Sequence, residues 1–145
     1  MRLSEAIRLG SGLVEQCRSS LFRFSRDGKV DGGCALGTAL ISLQGDRILG
    51  QVHDFISQEN LNDAGVMVGY LKEQFPILNM PVQHPEMQLT AQGKMFLGSI
   101  IPSLNDSYEW TLDQIVDFVE KCENLYYTQT KEKDLHLEKA VVYYD

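Results

Sequence analysis

Cys34 is the residue of this sequence whose type and position are best suited to chemistry. It follows Gly32 and Gly33 and precedes an apolar helical pattern, so we predict that it lies where a helix begins. At such a place amide N–H groups and the helix dipole stabilise a thiolate, and a two-glycine backbone could cradle an anion. Cys34 is therefore a candidate nucleophile, and Gly32, Gly33 and Cys34 are candidate binding residues.

The sequence also supports a structural interpretation of Cys34, which we favour. A catalytic cysteine needs a base that a third group orients, and no histidine is spaced to reach it. The three histidines are His53, His84 and His136. Cysteine is also a good small core residue. A thiol-dependent enzyme or thiol-based sensor using Cys34 remains the alternative hypothesis.

Asn105, Asp106 and Trp110 form the second group of candidate binding residues. The pair Asn105-Asp106 could place an acid/base carboxylate beside an amide, but such pairs more often form an Asx-turn, and we predict that structure here. Trp110 precedes Thr111, so we expect it to pack on its own helix or the preceding one, as in a hydrophobic staple. The sequence holds no Walker loop, G-x-G-x-x-G, G-x-S-x-G or H-E-x-x-H motif, and we predict no cofactor.

In the first third of the chain, the pattern predicts a helix, a hairpin and a second helix. Apolar residues at helical spacing predict a helix from Leu3 to Arg18, capped by Ser4. The pair Asp27-Gly28 after a short aromatic run predicts a β-hairpin. A second helix is expected to open at Gly32-Gly33 and to end near Gly45.

The remainder is predicted to be helical, with one long loop. We expect a helix over 63–75, a proline-containing loop over 76–88, and a helix over 90–101 that Pro102 ends. The capping box of Thr111 and Gln114 predicts the last helix. Its buried stripe is expected to contain Leu112, Ile115, Val116, Val119 and Cys122, and its outer face Asp113, Asp117, Glu120 and Glu123.

These elements predict a predominantly α-helical α+β fold. Residues 1–124 are predicted to form a single compact domain with a small β-hairpin. Residues 125–145 are predicted to be a C-terminal extension, as an edge strand or a short helix. The apolar segment Ala140–Tyr144 within it could pair with a second copy of the chain, and this segment therefore makes homo-oligomerisation a hypothesis.

Composition limits the classes of partner. The chain has 145 residues and a formal charge of −7, and residues 1–30 are basic while the rest is acidic. An acidic surface repels phosphate backbones, so nucleic acid is not expected as a partner. No apolar run is long enough to span a membrane, no signal peptide is evident, and three unpaired cysteines fit a reducing compartment. We expect a cytoplasmic protein without a membrane partner.

Three segments resemble a family of small bacterial and phage-borne proteins to which no activity is assigned. They are LSEAIRLG near the N-terminus, GCALGTAL around Cys34, and SLNDSYEWTLDQIVDFVE, which runs from Ser103 into the last helix. The resemblance covers residues 1–45 and 70–124. It implies an architecture and not a function.

The same resemblance points to four positions of a metal site. Many members of that family carry C-P-x-C and H-x4-H at positions that could bind zinc through two thiolates and two imidazoles. The matching residues here are His84, Met87, Ser103 and Tyr108. Because only His84 is a good zinc ligand, we predict no structural zinc, and expect packing of Met87, Tyr108 and Trp110 to hold this junction instead. A soft ion such as Cu(I) on His84 and Met87 is the less favoured possibility.

The sequence thus favours a non-catalytic interaction or regulatory protein with an unidentified protein partner. The surfaces available to it are the acidic last helix, the terminal segment and the basic N-terminal face. We do not expect an enzyme, although Cys34 leaves that class open.

Overall fold

The computed structural model describes residues 1–49, 64–87 and 93–135. The apolar segment Ala140–Tyr144, predicted to lie in an edge strand or a short helix, is outside the described residues, as are the histidines His53 and His136. The helices are α1 (Leu3–Ser11), α2 (Ala35–Gln44), α3 (Asp46–Leu49), α4 (Ala64–Gln74), a 3-10 helix (Pro76–Asn79), α5 (Leu97–Asp106) and α6 (Leu112–Leu135). The strands are β1 (Glu15–Gln16), β2 (Phe22–Phe24), β3 (Val30–Gly33), β4 (Pro81–Gln83) and β5 (Lys94–Phe96).

Helix α1 ends at Ser11, well before the predicted end at Arg18. The residues beyond it cannot remain helical, because Glu15 and Gln16 pair in extended form with β3. Near its end α1 crosses α2 closely, and a Cβ on Gly10 would lie 2.0 Å from the Thr38 carbonyl oxygen. After this crossing the chain leaves the helix and enters β1. Ser4 does not cap α1, because Arg2 is the N-cap residue and Ser4 lies inside the first turn.

The predicted hairpin is present, and β1 adds a third strand to it. β2 pairs with β3 in antiparallel fashion, and β1 pairs with the other edge of β3 in parallel. The turn holds Gly28 at φ +81°, a left-handed conformation that glycine adopts without strain. Gly32 and Gly33 lie in β3 and do not open the helix, which corrects the prediction.

Helix α2 is the centre of the core. Cys34 is its N-cap residue and Gly45 its C-cap, close to the predicted end. Leu36, Leu40 and Ile41 are almost completely buried. Helices α1, α4 and α5 and strand β3 all pack against it, so any group at the start of α2 is enclosed by other elements.

The second half contains two short strands that the sequence pattern did not predict. The predicted helix at 63–75 is observed as α4. The predicted loop at 76–88 contains the 3-10 helix and β4, and β4 pairs antiparallel with β5. Helix α5 begins only at Leu97 and continues through Pro102, because burial of residues beyond it offsets the cost of about 3 kcal/mol of an interior proline.

The last helix has the predicted start and stripe. The Thr111 N–H donates to Gln114 Oε1 (2.9 Å) and the Gln114 N–H to Thr111 Oγ1 (3.2 Å). The stripe residues are buried: Leu112, Ile115, Val116, Val119 and Cys122. α6 continues to Leu135, so the predicted boundary between 124 and 125 falls inside a helix. Asp113 and Asp117 are exposed as expected, whereas Glu123 is buried, which corrects the prediction for that residue.

The structure is α+β and mainly α, as predicted. Among the residues that the structure describes, no helix is both long enough and apolar enough to cross a bilayer.

Candidate functional site

Cys34 lies at a helix N-terminus, as predicted, but its thiol is enclosed. The residue is 6% exposed, its N–H donates to the Leu21 carbonyl (3.0 Å), and its Sγ accepts from the Gly37 N–H (3.4 Å). Burial raises the pKa of the Cys34 thiol to about 12, an effect larger than the opposing hydrogen bond from Gly37. The thiol is therefore protonated at neutral pH and is not the activated nucleophile that its helix position suggested.

Gly32 and Gly33 lie in β3, between β1 and β2, and do not form the loop that an anion cradle at the start of α2 would need. Several amides at the start of α2 already have internal acceptors: Ala35 N–H donates to Asn105 Oδ1 (3.1 Å), and Thr38 N–H donates to the Cys34 carbonyl (2.8 Å). Because each of these amides, like that of Gly37, is bonded within the protein, none of them is available to a ligand.

Asn105 is the centre of a buried polar cluster. The residue is fully buried, and its Oδ1 accepts from Gln16 Nε2 (2.8 Å) as well as from Ala35 N–H. Its Nδ2 donates to the Cys17 carbonyl (3.0 Å) and to Asp106 Oδ1 (2.7 Å). The predicted Asx-turn is wrong, because Asn105 and Asp106 end α5 and Asn105 bonds to β1, to the residue after it and to α2.

The Asn105 carboxamide takes the place of a backbone ladder bond. β1 and β3 are paired as far as Gln16 and Gly33, and Cys17 N–H donates to the Gly33 carbonyl (2.9 Å). In a longer parallel ladder, Ala35 N–H would donate to the Cys17 carbonyl next. The chain turns into α2 at this point, and the Asn105 side chain accepts from the first group and donates to the second.

Arg18 and Asp106 extend this cluster to the end of α5. The Arg18 guanidinium donates to the carbonyls of Asn105 and Glu109, the latter at 3.2 Å. Asp106 Oδ1 accepts from the Ser19 N–H (2.8 Å). Ser19 and Glu109 both have left-handed backbones, with φ values of 65° and 55°. A cation beside the carbonyls at the end of a helix is electrostatically favourable, so Arg18 stabilises this junction.

Trp110 packs on its own helix, as predicted. Its ring lies edge-on to Phe118 with centroids 6.2 Å apart. Its carbonyl accepts from Gln16 Nε2 (2.9 Å), and its N–H donates to the Leu104 carbonyl (2.9 Å). Trp110 therefore belongs to the framework around Asn105.

The four positions that the family resemblance singled out lie together. His84 Nε2 lies 3.0 Å from Ser103 Oγ, and the ring centroids of His84 and Tyr108 are 5.3 Å apart. His84 Nδ1 accepts from the N–H groups of Glu86 (3.0 Å) and Met87 (3.2 Å). These contacts join the end of β4 to α5 and to the residues that follow α5.

Neither ring nitrogen of His84 is available to a metal ion in this arrangement. Nδ1 is occupied by two amide donors, so Nε2 carries the proton and donates to Ser103 Oγ. Burial lowers the pKa of His84, and the nearby Glu86 only partly opposes this. In the described ranges, no three His, Cys, Asp or Glu side chains are grouped so that they could share a metal ion. The absence of zinc stays a prediction.

The structure does not show the expected packing of Met87, Tyr108 and Trp110 against one another at this junction. Met87 and Tyr108 are each more than a third exposed, and Trp110 packs against Phe118. The enclosed member of the group is His84, at 2% exposure. The junction therefore depends on the hydrogen bonds of one imidazole and on the contact of that ring with Tyr108.

Glu123 is a buried functional group that the sequence analysis placed on the wrong face. It is 1% exposed, and its carboxylate accepts from both the Ser4 N–H (3.1 Å) and the Ser4 hydroxyl. It thereby satisfies an amide in the first turn of α1. The signal was present, since Glu123 follows Val116 by seven residues and Val119 by four, which is the spacing of the buried stripe.

The basic side chains near the N-terminus are largely paired within the protein. Arg8 forms an ion pair with Glu120 (2.5 Å), and Arg2 lies over the Tyr127 ring at 4.4 Å. Arg23 bonds to two carboxylates, those of Glu15 (3.0 Å) and Asp31 (2.9 Å). The predicted basic face is thus much less available to a partner than the sequence suggested.

Comparison with known proteins gives no further assignment, because no protein-family model, no curated protein and no solved structure matches the chain. The family resemblance described above stays a prediction.

Proposed function

We propose that this protein is a non-catalytic interaction or regulatory protein that acts by binding another protein. One observation carries the proposal: the described groups best suited to chemistry are enclosed and bonded internally. Cys34 is a buried, protonated thiol, Asn105 is fully buried, and both nitrogens of His84 are occupied. A reaction needs reactive groups that a substrate can reach, whereas binding to another protein needs only exposed surface residues without chemical reactivity.

The reactivity of the thiols is the first test. We expect Cys34 to be alkylated slowly at neutral pH, at a rate limited by unfolding, because its pKa is raised to about 12. Cys122, whose pKa burial raises to about 11, is a matched buried thiol on another helix. Rates are measured against pH by mass spectrometry of the labelled peptides. An apparent pKa of Cys34 below the ordinary value of about 8.5 would instead support the thiol enzyme or sensor.

The outer face of α6 is the surface that we favour for the partner. Asp113 and Asp117 are exposed on it, and further along the same helix Leu125 is 51% exposed. Acidic residues with an exposed apolar residue nearby suit a protein partner with a basic and apolar surface, and they disfavour nucleic acid. This choice follows from the internal pairing of the N-terminal arginines.

Site-directed variants test this surface. The tagged full chain and its variants are used to capture partners from an extract of the source cells, and the captured proteins are quantified by mass spectrometry. We expect the double variant Asp113→Asn, Asp117→Asn and the single variant Leu125→Ser to lose a partner that wild type retains. Leu13→Ser is the matched control, since Leu13 is 55% exposed elsewhere. Equal loss in the control, or no loss in the α6 variants, would contradict the assignment.

Self-association is a second form of the same proposal, in which the partner is another copy. It rests on the apolar residues 140–144 of the sequence. Sedimentation of the full chain and of a chain ending at Leu135, which keeps α6 whole, distinguishes the two forms. If both the full chain and the shortened chain sediment as monomers, self-association is excluded and the partner must be a different protein.

A further inference from the structure

His84 connects three parts of the fold through one imidazole. It directly follows β4, its Nδ1 accepts from the amides of Glu86 and Met87 in its own turn, and its Nε2 reaches Ser103 on α5. The Tyr108 ring covers it from the segment after α5. Among the described residues, the turn after β4 is therefore hydrogen-bonded to α5 through the His84 ring.

The hydrogen bonds fix the protonation state of this ring. A backbone N–H can only donate, so Nδ1 must present a lone pair to the amides of Glu86 and Met87. The proton therefore lies on Nε2, with Ser103 Oγ as its acceptor. This neutral tautomer is the only one that satisfies all three contacts.

A second proton would bind to Nδ1, which could then no longer accept from the amides of Glu86 and Met87. The bonds from these two amides would be lost. The bond to Ser103 would survive, because Nε2–H is present in both forms. The bond from Gln83 Nε2 to the Met87 carbonyl (3.3 Å) does not involve the ring. Among the described groups, the charge that acts on the ring is that of Glu86, which favours the cation, while burial disfavours it more strongly. Ser103 and Tyr108 face the ring with a hydroxyl and an aromatic ring.

We propose that His84 is a proton-operated latch, which keeps the turn of residues 84–87 closed while the imidazole is neutral and opens it when the imidazole is protonated. Opening would free the end of β4 and expose more of Met87 and Tyr108, which border the ring. The latch goes beyond the proposed function, because it describes how one surface of the protein responds to acidification.

The direction of the pH dependence follows from the lowered pKa of His84. The stabilisation by the neutral ring is complete above the ordinary histidine pKa of about 6.5. It declines as the pH falls below that value and is lost once the pH passes the lower pKa of the folded state. Acidification within this window therefore opens the turn and neutral pH closes it.

Nuclear magnetic resonance on the full chain tests the latch directly. At neutral pH we expect the His84 ring to show an unprotonated Nδ1 and a protonated Nε2. On acidification we expect loss of hydrogen-exchange protection at the amides of Glu86 and Met87, after correction for intrinsic exchange, in step with titration of the ring. Protection in α2 should remain. A protonated Nδ1 at neutral pH, or protection of the two amides that does not follow the ring, overturns the proposal.

Two variants separate the latch from general acid unfolding. His84→Gln cannot titrate, so the pH-dependent loss of protection at residues 86 and 87 should disappear. Ser103→Ala removes the contact that both protonation states share, so the pH-dependent loss should persist. If His84→Gln does not fold, the ring titration of wild type and Ser103→Ala still decides the question.

Discussion

Replacing Asn105 by alanine tests the interpretation that this side chain completes the backbone pairing between β1 and the start of α2. The change removes the acceptor of Ala35 N–H and the donor to the Cys17 carbonyl. Both residues are buried, so these two backbone groups cannot turn to solvent. Gln16 and Asp106 also lose a partner, but they are partly exposed and can bind water.

The expected magnitude follows from the two buried backbone groups. Each unpaired group costs about 1–3 kcal/mol, so Asn105→Ala should lower the free energy of unfolding by about 2–6 kcal/mol. A water molecule in the vacated space would bring the loss toward the lower end of that range. Because domains are stable by only about 5–15 kcal/mol, the change should be plain in urea unfolding. Trp110, the single tryptophan, lies beside the cluster and reports the transition.

Matched variants give this experiment its controls. Asn124→Ala removes an asparagine side chain from an exposed position of α6 and should change stability little. Asn105→Asp keeps the volume and the acceptor for Ala35 N–H but loses the donor to Cys17, and it places a second carboxylate beside Asp106. It should therefore destabilise more at neutral pH than at acid pH. A loss below about 0.5 kcal/mol for Asn105→Ala, the range of ordinary surface substitutions, would refute the reasoning.

Two further predictions concern α1. Gly10→Ala should prevent the close approach to Thr38, since the new Cβ would lie 2.0 Å from its carbonyl oxygen, and thermal unfolding should show severe destabilisation. Gly12→Ala is the control, with its nearest neighbour at 3.5 Å, and equal effects of the two changes would contradict the crossing. Glu123→Ala should cost about 1–3 kcal/mol, because the Ser4 N–H and hydroxyl lose their acceptor, and Glu123→Gln should cost less because one acceptor remains. Urea unfolding measures both, and a neutral Glu123→Ala would show that Ser4 finds another partner.

The sequence predicted those elements whose signals are local. Helix α6 was recognised from its capping box and helix α2 from its apolar spacing and terminal glycine. The end of α1 is not predicted, because the apolar spacing continues past Ser11 while the pairing that makes Glu15 and Gln16 extended depends on β3, a distant segment of the chain. Strands β4 and β5 have three residues each, which is too short for alternation to be recognised.

The candidate site was less predictable, because its contacts are distant in sequence. Asn105 was expected to bond to its own turn, yet it reaches Gln16 and Ala35, which lie 89 and 70 residues away. A local rule cannot rank such partners against nearby ones. Glu123 differs, because its spacing placed it on the buried stripe and only its charge argued for the surface.

Asn105 and His84 perform the same physical task in different parts of the fold. Each lies where regular secondary structure ends, and each accepts hydrogen bonds from backbone N–H groups outside the regular pairing. That task requires a buried group with a fixed pattern of donors and acceptors. Burial excludes water from the group, and its hydrogen bonds occupy the lone pairs that catalysis would use. Side chains of catalytic type are therefore expected here for reasons of folding alone. If the proposed function is correct, variants of Asn105 should affect binding of the proposed partner only in proportion to the fraction of protein that they unfold. Leu125→Ser should affect this binding while leaving the unfolding transition in place.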